Sequence, residues 1–228
     1  MDNEQVDPRW PRLLSLAVHE FRTPITVVAG YLRMVLKERA GPISDQQRKL
    51  LEEAEKSCGR LSGLVAEMSD LSALESGKAA FNTSALDLSA LLRDGVAALP
   101  ELPDRSVSVE LQGADGPVTI KGDAARLRAA FAALLMALRR EVVTSDRLIA
   151  RLQSGTGDAP CVIALGEPET IDRIASAEVS SLQRFDEWRG GSGLSLAVAR
   201  RIFAQHGGSL YAPPGDGKAG AVLLLPRG

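Results

Sequence analysis

Aromatic side chains are scarce in this chain, at 4% of its 228 residues. A core of ordinary size must therefore come from Leu, Val, Ile and Ala, and the 45% of hydrophobic residues suffices to build one. Cysteine is scarcer still. Cys58 and Cys161 lie far apart, in neither a metal-ligand nor a redox spacing, which argues against structural zinc and dithiol chemistry. They read as two buried thiols in a reducing compartment. No apolar run approaches the roughly 20 residues that span a bilayer. The opening MDNEQVDPRWPRLL is acidic and polar, unlike a secretory leader. The expected location is the cytoplasm. The net charge of −2, with no run of like charge, supplies no basic face for nucleic acid.

What is present begins with two heptad seams. Leu14, Val18, Phe21, Ile25, Val28, Leu32 and Val35 alternate spacings of four and three, and so do Leu51, Ala54, Cys58, Leu61, Val65 and Met68. That is the pattern of long helices packed lengthwise. The link Ala40-Gly41-Pro42-Ile43 is short, so the helices form an antiparallel hairpin. Ser44 is the expected N-cap of the second helix, with Gln47 completing a capping box. One hairpin cannot bury both seams, so the packing predicts a homodimer with a four-helix bundle.

From about Ser76 glycine and proline break the chain into short elements. The pattern predicts helices over 86–99, 124–140 and 194–205, and strands over 106–111, 118–121, 148–152, 161–165, 209–212 and 221–225. The expected class is α+β: a helical hairpin over 1–76, then an α/β sandwich over 77–228.

The chemistry-bearing motif is His19-Glu20-Phe21-Arg22-Thr23-Pro24. His19 follows the seam residue Val18 and so points off the packed face. A neutral imidazole there is a free nucleophile able to take a phosphoryl group. Glu20 can orient the ring or accept its proton. Thr23 lies one turn along on the same face, where its hydroxyl can place a water. Pro24 removes the hydrogen bond to the Glu20 carbonyl and predicts a bend.

This hexapeptide resembles the H-box of sensor histidine kinases, and the hairpin resembles their dimerisation and phosphotransfer domain. The resemblance extends over nearly the whole chain. Leu74-Glu75-Ser76-Gly77-Lys78 and Leu86-Asp87-Leu88-Ser89 resemble the family's exit from the hairpin. Gly122-Asp123-Ala124-Ala125-Arg126-Leu127-Arg128 resembles the entry to its nucleotide-binding helix. Gly191-Ser192-Gly193-Leu194-Ser195-Leu196-Ala197 resembles the late glycine box, which implies ATP-phosphate contacts for Gly191 and Gly193. A tight turn required by packing explains the same glycines equally well. His206-Gly207-Gly208 matches a turn whose role is structural. The resemblance implies that His19 is phosphorylated and donates to the aspartate of a response regulator. It also implies that Glu20 and Thr23 support dephosphorylation of that regulator.

The match fails at the nucleotide. Ala133 and Ala137 stand where the family pattern has asparagines holding magnesium, and an alanine has no oxygen ligand. Gly166-Glu167-Pro168-Glu169-Thr170-Ile171 stands where DxGxGI is expected. Gly166 replaces the aspartate that contacts adenine, and Glu167 and Glu169 are expected to bring negative charge near the phosphates. No metal ligands are assigned, and use of ATP and magnesium is in doubt. Three readings remain. One is an ATP-dependent kinase with an atypical site, and another is a phosphotransferase or phosphatase acting through His19. The third is a pseudokinase scaffold. Either a separate sensor or upstream kinase supplies the signal, or the chain is a piece of a longer receptor.

Overall fold

The computed structural model describes residues 9–155, 159–189, 191, 193–215 and 220–227. The polar stretch 1–8 and Ser192 of the late glycine motif lie outside the described residues. Contacts divide the chain into two compact units, Met1–Ala79 and Ala80–Gly228.

The first unit is the hairpin. α1 (Trp10–Leu36) begins with Pro11 in its first turn, where the missing N–H costs nothing, and runs on through Pro24. α2 (Asp45–Glu75) carries the expected capping box. Gln47 N–H donates to Ser44 Oγ at 3.3 Å, and Ser44 N–H donates to Gln47 Oε1 at 2.8 Å. At the turn, Arg48 donates to the Leu36 carbonyl at 3.1 Å and pairs with Glu38 at 2.5 Å, placing a cation at the C-terminus of α1. Gly77, at φ +66°, ends α2 in the left-handed region. Leu14, Val18, Cys58, Val65, Leu71 and Leu74 are buried between the helices. The seam residues Phe21, Val28 and Leu61 are each 51% exposed. One hairpin thus covers only part of its own seams.

The second unit is built on a six-stranded mixed sheet in the order β2-β4-β5-β8-β7-β6. Its strands are β2 (Ser108–Gln112), β4 (Arg147–Gln153), β5 (Cys161–Gly166), β6 (Gln183–Arg184), β7 (Ser209–Ala212) and β8 (Gly220–Leu225). β2 and β4 are parallel and every other pair is antiparallel. A separate two-stranded ribbon pairs β1 (Ser84–Asp87) with β3 (Thr119–Gly122). α3 (Leu88–Ala97), α4 (Ala124–Glu141) and α6 (Ser195–Gln205) supply the main helical layer, where Phe131 and Phe203 meet edge-on at 5.1 Å. Strand alternation turns Leu148, Ala150 and Leu152 towards this layer. It turns Ile149, Ala164 and Val222 to the opposite face, where they pack with Ile171 and Ile174 of the short α5 (Ile171–Ala175).

The α+β class and the sequence of a hairpin followed by an α/β unit are as expected. Several elements differ from the sequence reading, among them the two-residue β6, which the pattern did not predict. The helix expected from Leu86 starts at Leu88, because Asp87 caps it by accepting the Ser89 N–H at 2.9 Å; the residues before it pair as β1. α5 was not expected at all. Among the described residues no helix is long and apolar enough to cross a bilayer.

Candidate functional site

His19 is exposed on α1, directly after Val18, which is 3% exposed in the seam. It opens onto a groove of about 620 Å³ at the end of the hairpin, bounded on one side by Arg12, Ser15 and Arg22 of α1. Glu75 and Lys78, at and just beyond the end of α2, bound the other side. Ser72 also lines it, but its hydroxyl is committed to the Pro11 carbonyl at 2.9 Å, a bond that ties the two helix ends together. Glu20 and Thr23 are exposed on the same helix but do not line this groove.

In the second unit, Ala133 is partly buried and Ala137 is 1% exposed within α4. Gly166 closes β5 opposite Gly220 of β8. A Cβ added to Gly166 would lie 2.6 Å from Ile174 Cδ1 and 3.1 Å from Thr170 Oγ1. One added to Gly220 would lie 3.0 Å from the same Ile174 methyl. The methyl therefore sits in a notch that two cross-strand glycines leave open.

Glu167 is 2% exposed. Its carboxylate accepts the N–H groups of Val143 and Thr144 at 3.3 and 2.8 Å, and also the Thr144 hydroxyl. Burial pushes this carboxyl up, but the Thr144 hydroxyl and the two N–H groups outweigh it and hold the group below its ordinary value. The negative charge read from the sequence as facing a nucleotide is instead engaged in closing the loop after α4. Glu169 is exposed.

The segment leading into α6 is fastened by charge. The Arg189 guanidinium forks onto the Glu141 carboxylate, with Nε at 2.9 and 3.0 Å from the two oxygens, and lies over the buried Phe185 ring at 5.2 Å. Glu187 accepts from Arg200 at 2.5 Å and from Arg201 at 3.2 Å. Arg140 donates to the Gly191 carbonyl at 3.2 Å. Gly191 and Gly193 take φ of +58° and +61°, and a Cβ on Gly191 would meet nothing within 4 Å. Backbone conformation, not space, is what requires glycine at 191. Sequence reasoning missed these contacts, because their partners are up to 51 residues apart and follow no spacing rule.

His206 is tied into the structure. Its Nδ1–H donates to the Ile202 carbonyl at 2.7 Å, and its Nε2 accepts the Asp123 N–H at 2.9 Å, which fixes one tautomer. The ring meets Phe81 edge-on at 5.3 Å. Asp123 in turn accepts the N–H groups of Arg126 and Asn82, at 3.0 and 2.9 Å. Its carboxyl is held below the usual range by those two bonds. Among the described residues no group of three or more His, Cys, Asp or Glu side chains is placed to hold a metal ion.

Residues 11–77 match the family model of the His Kinase A (phospho-acceptor) domain. The hairpin is thus a His Kinase A domain by this match, and over most of its length the chain is similar to sensor histidine kinases. It is 27% identical to the circadian input-output histidine kinase CikA of Synechococcus elongatus, over 86% of this chain and 27% of that protein. It is 27% identical to the sensor protein GacS of Pseudomonas syringae, over 92% of this chain and 24% of that one. The chain thus spans about a quarter of the length of these relatives. Among solved structures, full-length ShkA in complex with AMPPNP shares the fold with a TM-score of 0.66 at 22% identity, over 95% of this chain and 45% of that one. The histidine kinase AdeS of Acinetobacter baumannii shares it with a TM-score of 0.53 at 18% identity, over 92% and 96%. The relatives and both solved structures cover the second unit as well as the hairpin.

Proposed function

We propose that the chain carries a phosphoryl group on His19, exchanges it with the aspartate of a response-regulator receiver domain, and does not load itself from ATP. The observation that carries this reading is the position of His19, solvent-exposed within the phospho-acceptor hairpin and beside an open groove. A ring nitrogen of His19 attacks the phosphorus of the receiver's acyl phosphate. The N–P bond forms as the P–O bond to the aspartate breaks, and the carboxylate leaves. The second ring nitrogen then releases its proton, for which Glu20 is the nearest base in sequence. In the hydrolytic branch, a water aligned by Thr23 replaces the ring nitrogen as nucleophile on the same acyl phosphate. Both steps belong to a homodimer in the cytoplasm. The exposed seam residues Phe21, Val28 and Leu61 support a second hairpin completing the bundle.

Nucleotide and magnesium do not fit the residues present. Alanines at 133 and 137 offer no oxygen, the space an aspartate at 166 would need is filled by Ile174, and the Glu167 carboxylate is already engaged. The competing reading, a working kinase, draws on the glycine turn into α6 and on the fold shared with ShkA. The third is a scaffold.

One assay separates the three. The full chain is incubated with radiolabelled Mg-ATP or, in parallel, with a small phosphoramidate donor, and His19→Ala is the control. Label from phosphoramidate alone, absent in His19→Ala, is the expected result. Label from ATP on His19 would establish a working kinase and overturn the exclusion of nucleotide. Label from neither would leave a scaffold.

A further inference from the structure

Three cations line the groove beside His19: Arg12, Arg22 and Lys78. All three are exposed, and no ion pair or hydrogen bond engages their side-chain nitrogens among the described residues. The second unit is different, since Arg189, Arg200 and Arg201 there are paired with carboxylates. Three unneutralised cations around one histidine repel one another unless an anion joins them. The groove's one carboxylate, Glu75, already has a partner of its own.

Helix geometry says where that anion sits. Side chains on a helix lean towards its N-terminus, so the His19 ring points back along α1 into the groove, towards Ser15 and Arg12. Arg22, three residues on, leans back over the ring from the other side. Arg12 is two turns up the same face, about 10 Å along the axis, within the combined reach of an arginine and a phosphorylated histidine. Lys78 approaches from the second helix; its backbone N–H is fixed to the Ala73 carbonyl at 2.9 Å just beyond the Gly77 turn.

We propose that Arg12 and Lys78, with Arg22, form a cradle for the phosphoryl group of phospho-His19, holding it as the dianion through charge-assisted hydrogen bonds. This rests on the reading that His19 carries a phosphoryl group. Arg12 and Lys78 are positioning residues, because they act on the phosphoryl group and not on the nucleophile. An arginine fork on the dianion slows protonation of the group, the event that precedes loss of the N–P bond to water, and so extends the lifetime of the label.

The test uses the full chain labelled by phosphoramidate and a 31P NMR pH titration of the phosphohistidine signal. In Arg12→Gln/Lys78→Gln the midpoint of the phosphoryl titration rises by about 1 in pH, roughly 0.5 for each unit charge lost at ~6 Å in a water-like medium. The difference collapses in 1 M salt, and Arg12→Lys restores part of it. A purely structural role for these exposed residues would move the thermal midpoint and leave the titration where it was. An unchanged titration in a fully labelled double variant overturns the cradle while leaving His19 phosphotransfer standing. No label on His19 in the unaltered chain overturns both.

Discussion

The notch between Gly166 and Gly220 can be tested with two methyl groups. Gly166→Ala adds a single carbon, which would sit 2.6 Å from Ile174 Cδ1, well inside contact distance. φ at Gly166 is not in the left-handed region, so alanine meets no backbone penalty there. Its cost is overpacking alone, about 1–3 kcal/mol. Ile174→Val removes the opposing Cδ1 and nothing else, at about 0.5–1.5 kcal/mol for a well-buried site. In the Ile174→Val background the added Cβ has room, limited only by Thr170 Oγ1 at 3.1 Å. Gly166→Ala should then cost less than ~0.5 kcal/mol. The double-mutant cycle should therefore show a favourable coupling of about 1 kcal/mol or more, as touching residues do. Urea unfolding of the full chain, read by Trp188 fluorescence in a Trp10→Phe background, reports the second unit. If Gly166→Ala is equally costly with and without the Ile174 methyl, the notch is not what holds position 166 to glycine. The steric part of the argument against an aspartate there then fails.

Two further outcomes follow from the second unit. Removing the His206 ring leaves the Asp123 N–H without its acceptor and Phe81 without its edge contact. His206→Ala should therefore destabilise the unit by about 2–3 kcal/mol, read as a lower urea midpoint, with no effect on phosphoramidate labelling of His19. Acid should also destabilise this unit. Asp87, Asp123 and Glu167 all lie below their ordinary values of 3.8, 3.8 and 4.5, so they take up protons more readily in the unfolded chain than in the folded one. Their contribution is complete above the ordinary carboxylate range and is lost as pH falls through the lower folded values. Thermal midpoints should be flat from pH 7 to about 5 and decline below about 4. Replacing Glu167 with Gln should flatten part of that decline.

The hairpin was legible because its signals are local and redundant: a period of seven, a capping box and a short glycine-proline turn all specify the same two helices. The partial exposure of Phe21 and Val28 follows from the same pattern, since two helices packed on each other cannot cover both full seams. The strands with buried alternation were also legible, β7 to the residue. What escaped was set by partners far away in sequence. β1 is four residues without apolar alternation, held only by pairing with β3, while Asp87 takes the cap. α5 is five residues long, and its isoleucines at 171 and 174 carry too few repeats to show a period. Glu167 looks like a surface charge in sequence. It is buried because the loop after α4 brings two N–H donors to it, which no spacing rule anticipates.

The ion pairs around Phe185–Arg189 bear on how often that segment lifts. Opening it exchanges the Arg189–Glu141 fork and the Glu187 pairs with Arg200 and Arg201 for water. At about 1.5 kcal/mol for each of the two glutamates' charged hydrogen-bond sets, the open form is populated to roughly 1% or less. A ligand whose entry requires the segment to lift would have its apparent affinity weakened about a hundredfold before any contact of its own is counted.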